Sequence, residues 1–84
     1  MGSKINQVIA LLEGVSDGLV NADQALREWP SIDSEKDDLI KSAWHDLSHF
    51  ATDKDIRTKE KEYDSRQREL LRNTAKEIRK KYID

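Results

Sequence analysis

The sequence predicts an all-α protein, a compact four-helix bundle, and three observations point there. Apolar residues recur at three- and four-residue spacing through most of the chain, the pattern that lines one face of a helix. No alternating β-branched run appears that would make a strand. The single proline and three glycines of the 84 residues fall between the periodic stretches or at their ends.

The first helix is expected over about 4–13, where Ile5, Val8, Ile9 and Leu12 keep the i, i+3, i+4, i+7 order. Ser3 is placed to cap it and Gly14 to end it. Residues 15–20, with a central glycine among polar turn formers, read as a loop that tucks Val15 and Leu19 inward.

A second, short helix is expected over about 22–29. Asn21 and Gln24 have the spacing of a capping box, and Ala22, Ala25, Leu26 and Trp29 carry the apolar face until Pro30 stops it. A third helix follows over about 34–52, with Leu39, Ile40, Ala43, Trp44, Leu47, Phe50 and Ala51 on one face. Its start is rich in acid, which suits the positive end of a helix.

Residues 52–59 lose the pattern and read as a turn anchored by Ile56. The fourth helix is expected over about 60–82, with Tyr63, Leu70, Leu71, Thr74, Ile78 and Tyr82 inward. On its solvent side Glu62 and Arg66, Asp64 and Arg68, and Glu77 and Lys81 stand four apart in the favourable order. The third and fourth helices, at ~1.5 Å per residue, are about 28 and 35 Å long. They form a long antiparallel pair covered by two short N-terminal helices, in one domain spanning 1–84.

Apolar residues make up 36% of the chain and charged residues 38%, which allows one core of modest size and no second domain. Cysteine is absent, which removes disulfides, thiolate metal sites and cysteine nucleophiles together. No apolar run is long enough to span a membrane. The expectation is a cytoplasmic protein with no membrane partner, and Met1 to Ser3 read as an expression remnant.

The net charge of −2 hides a polarity. Residues 1–53 hold four Lys/Arg against ten Asp/Glu, whereas residues 54–84 hold eleven against seven. Oppositely charged halves that fold together attract, and whatever charge stays outside steers partners of complementary sign.

Three clusters are candidate sites. His45 and His49, with Asp53 one turn further, stack on one helix side and offer two imidazoles and a carboxylate to a metal. The bland reading, two surface histidines, is preferred, and no cofactor is expected. Arg72, Lys76, Arg79 and Lys80 offer cations to nucleic-acid phosphates, although cations also collect at helix C-termini for dipole reasons. Nucleic acid is the lesser expectation.

Asp33, Glu35, Asp37 and Asp38 form a negative patch for a basic protein partner, with helix capping as the competing role. Asp53-Lys54-Asp55 lacks the glycine and closing glutamate of a calcium loop, and a turn-capping role is expected instead. No phosphate-binding glycine loop, nucleophile elbow or supported acid–base pair is found, so catalysis is not expected.

Two stretches carry a resemblance. Val8 to Ser16, followed by the alanine-bearing helix that closes on Trp29, resembles the opening of a group of small bacterial helical proteins. Trp44 to Phe50, Asp53 to Arg57 and Tyr63 to Leu71 are similar to the remainder of that group. Some of its members are similar to colicin-type immunity proteins, which cover a toxin's active site with a complementary surface. The resemblance implies a protein-binding module, in its most concrete form one that neutralises a basic toxin.

Overall fold

A computed structural model describes residues 3–30 and 36–83. Among them are five α-helices and no strand: α1 (Ser3–Ser16), α2 (Ala22–Glu28), α3 (Asp38–Thr52), α4 (Lys54–Lys59) and α5 (Lys61–Tyr82). The helical bundle stands, with one helix more than expected.

The first helix does not stop at Gly14. It runs on to Ser16 and is closed at Gly18, whose φ of +79° only glycine adopts readily. The Gly18 N–H donates to the Val15 carbonyl at 3.1 Å and the Leu19 N–H to the Gly14 carbonyl at 2.8 Å. This pair of bonds is the Schellman closure, which satisfies two orphan carbonyls of the last turn. Ser3 already lies within the helix, so the position that would cap it falls outside the described residues.

Gly14 serves another purpose. A Cβ at this position would lie 2.7 Å from Val20 Cγ2, so the missing side chain is what lets Val20 fold back onto α1. Val15 is buried as expected, but Leu19 is 82% exposed and points away from the core. The tight closure dictates this: the turn that brings Val20 in leaves its neighbour outside.

Asn21 caps α2 by accepting from the Asp23 N–H at 2.8 Å. The reciprocal half of the box is missing, because the Gln24 amide donates to Glu28 at 2.8 Å instead. Trp29 turns extended (φ −62°, ψ 137°), the conformation a following proline imposes. Gln7 of α1 donates to the Glu28 carbonyl at 2.7 Å and so closes the end of α2 from a neighbouring helix.

α3 begins later than expected, at Asp38, with Asp37 as its cap accepting from the Leu39 and Ile40 N–H groups at 2.8 and 3.4 Å. Positions 34 and 35 of the expected helix lie outside the described residues. The turn expected over 52–59 is instead the short helix α4, entered at Asp53 (φ −84°, ψ 19°) and left at Glu60 (φ −120°, ψ 102°). Thr52 and Thr58 each donate their hydroxyl to the carbonyl four residues back, at 3.0 and 2.9 Å, a bond that bends helices. Ile56 does not anchor this segment, since it is exposed.

The core draws Val8, Leu12 and Val15 from α1, Ala22 and Ala25 from α2, Ile40, Ala43, Leu47 and Phe50 from α3, and Leu71, Ala75 and Ile78 from α5. α5 packs most extensively on α1, with α3 along its other side. α1 is therefore a main wall of the core and not a short cover. Two expected inward residues of α5, Leu70 and Tyr82, are exposed, and Ala75, which the apolar periodicity does not place inward, is buried. A helix wedged between two others needs small residues where their backbones come close.

Both neighbours run antiparallel to α5. Lys81 meets Asp37 at the start of α3 at 2.8 Å, while Tyr63 meets Asp53 at its end at 2.6 Å. Arg79 meets Glu13 and Arg72 meets Asp17 further along α1, at 3.3 and 3.2 Å.

Gly14→Ala is expected to destabilise the fold by about 1–3 kcal/mol through overpacking against a stiff β-branched neighbour. In the double variant with Val20→Ala much of that loss should return, and a urea-melt double-mutant cycle measures the coupling.

Candidate functional site

A cleft of about 500 Å³ opens between the α1–α2 loop, the end of α3, α4 and the first turns of α5. Its apolar floor includes Phe50, Ala51 and Ala22, and its walls carry Arg57, Asp64 and Arg68. These three charged residues organise the region.

Asp64 lies between the two guanidinium groups. Arg57 Nη1 donates to its Oδ1 at 3.2 Å and Arg68 Nε to its Oδ2 at 2.8 Å. Each arginine also closes a helix. Arg57 Nε donates to the Phe50 carbonyl near the end of α3 at 3.0 Å. Arg68 Nη1 reaches the Val15 and Ser16 carbonyls at the end of α1, at 3.0 and 3.3 Å. A cation at the negative end of a helix both satisfies an orphan carbonyl and opposes the dipole.

The Phe50 ring completes the arrangement. The guanidinium carbon of Arg57 stands 3.5 Å from the ring centroid and that of Arg68 stands 5.3 Å away, within the range of a cation–π attraction. Burial pushes the Asp64 carboxyl up, but the hydrogen bonds from Arg68 and Arg57 outweigh it and hold the group below the ordinary carboxylate range. Asp64 and Arg68 have the i, i+4 spacing legible in the sequence. Their role is different from a solvent-side pair, because the same carboxylate also holds Arg57 from another helix.

The other expected clusters fare differently. Asp37 caps α3 and pairs with Lys81, and the Lys81 hydrogen bond is the main reason its carboxyl sits below its ordinary value. Asp38 is exposed in the first turn of α3. Asp33 and Glu35 lie outside the described residues, so the four acids cannot be placed as one patch.

Of the basic cluster, Arg72 and Arg79 face α1 and pair with Asp17 and Glu13. Lys76 and Lys80 are exposed, with Glu69 and Glu77 exposed on the same helix, so no continuous cationic stripe forms. Lys81 reaches Asp37 rather than Glu77.

His45 and His49 are exposed on α3, with the His45 ring edge-on to Trp44 at 5.4 Å. Asp53 accepts from the Tyr63 hydroxyl, a bond that raises the phenol above its usual range. Among the described residues no group of three His, Cys, Asp or Glu side chains is placed to hold a metal ion. Asp46, between the two histidines, is pushed up by burial, with His49 and His45 opposing the shift.

No family model matches the chain, and no curated protein or solved structure is significantly similar to it.

The site residue that periodicity missed is Arg57. In a segment read as a turn it gave no signal beyond its charge, and Phe50, its support, looked like one more core residue.

Asp64→Asn removes the shared charge while keeping the shape. It is expected to destabilise the protein by about 2 kcal/mol at neutral pH, a figure reduced from the buried-pair range because the side chain is one-quarter exposed. A carboxyl held low contributes stability that is full above its unfolded value near 4 and is lost as pH falls through the folded value. Urea melts between pH 7 and pH 2 should show the wild type losing more stability than the variant over that acid window.

Proposed function

We propose that this protein is a small helical module that works by contact with another protein, and that Leu19 is its anchor. The observation that carries this reading is a pinned apolar tip. Leu19 is the most exposed large apolar side chain among the described residues, yet the backbone around it is held on every side. Asp17 pairs with Arg72, the Gly18, Leu19 and Val20 N–H groups bond back to α1, and Asn21 caps α2.

An isolated surface leucine is ordinary. One fixed in place is better suited to binding, because less loop entropy is lost when a partner closes over it. Full burial of such a side chain is worth about 2 kcal/mol, the scale of an interface anchor. The adjoining cleft adds a concave surface beside this protruding tip.

The most concrete form of this reading is an immunity-type protein that covers a basic toxin. Its support is the acidic first half of the chain, from which Asp38 offers an exposed carboxylate. Asp37 adds to the local negative field but is engaged in holding α3.

The test compares wild type with Leu19→Asp and Asp38→Lys, each confirmed as folded by circular dichroism. Affinity capture from a lysate of the encoding organism should retain a protein on the wild type and lose it on Leu19→Asp. Slower association of that protein with Asp38→Lys identifies a basic partner. Retention of the same proteins by wild type and Leu19→Asp rules the anchor out.

A further inference from the structure

Two arginines that line the cleft carry hydrogen-bond donors that the fold does not use. Arg57 engages its acceptors through Nε and Nη1, and so does Arg68. The Nη2 atoms of both have no hydrogen-bond partner among the described residues. Among the described residues no buried side-chain nitrogen or oxygen lacks a hydrogen bond, so these two atoms are open to solvent. Both residues line the same cleft.

From this we infer that the cleft is a binding site for a small organic oxyanion, a phosphate or carboxylate carried on a compact apolar body. Two guanidinium groups share one carboxylate, which leaves one positive charge at the cleft wall. Lys54, on the α4 side of the cleft, is exposed, forms no ion pair among the described residues, and adds a second. Asp23 on the α2 side repels an anionic group from that end and so orients the ligand.

The donors are also fixed in advance. Arg57 is only 11% exposed, clamped by the Phe50 ring, the Phe50 carbonyl and Asp64. A guanidinium held this way presents its remaining N–H groups in a rigid fork suited to an oxyanion. Val20, Ala22 and Ala51 provide apolar surface for the ligand's body, and about 500 Å³ falls in the range of small-molecule sites. This inference does not depend on Leu19 or on a protein partner.

Phenyl phosphate and benzoate serve as probes, titrated separately while the arginine Nε–Hε signals are followed by NMR. Saturable shifts at Arg57 and Arg68 are expected, with a dissociation constant of about 1 mM from a few charge-assisted hydrogen bonds. The tighter probe identifies the preferred oxyanion. Arg72 and Arg79, engaged with acids on the surface, are the internal controls and should shift little. Lys54→Glu, whose side chain holds nothing in the fold, should weaken binding about tenfold. No saturation with either probe, equal shifts at Arg72 and Arg79, or unchanged affinity in Lys54→Glu overturns the site.

Discussion

One carboxylate between two guanidinium groups ties together the ends of two helices. α1 and α3 both end near the same region, and two helix C-termini in proximity leave unsatisfied carbonyls facing one another. Arg68 closes the first and Arg57 the second, and Asp64 fixes both arginines by accepting from each. Without that shared acceptor, two cations over one phenylalanine ring would repel. The short helix α4 exists to deliver Arg57 to this point, since its own side chains bury nothing fully.

Charge in this protein is mainly a device of assembly. The acidic first half and the basic second half meet along α5, where Arg72, Arg79 and Lys81 reach Asp17, Glu13 and Asp37. These pairs are half-exposed on at least one side, so each contributes little to stability. Together they favour the antiparallel register in which α5 lies between α1 and α3. They also neutralise much of the apparent charge polarity, which is why a basic helix in the sequence does not become a basic stripe in the fold.

The same region combines rigidity with unused valence. The Schellman closure at Gly18 and the contact of Val20 with Gly14 hold the α1–α2 loop in one shape, with Leu19 outside. A Cβ at Gly18 would come within 3.9 Å of Arg68 Nη1, so this loop rests on the guanidinium that also lines the cleft. A protein contact at Leu19 and an oxyanion at Arg68 would be neighbours, and each would meet a surface already ordered.

Local pattern alone determined that this chain is helical and which faces are apolar, because helix periodicity is a property of near neighbours. The apolar face of α3 and the cap at Asn21 are legible for that reason, as is the spacing of Asp64 and Arg68. Tertiary structure decided the role of Gly14, which is explained by its contact with Val20 and not by the helix that contains it. It decided that Leu70 stays in water while Ala75 is buried, because only the closeness of neighbouring backbones selects a small residue over a large one. It also decided the candidate site: Arg57, Asp64 and Arg68 acquire their roles from carbonyls up to 53 residues away, and no local pattern encodes a partner at that distance.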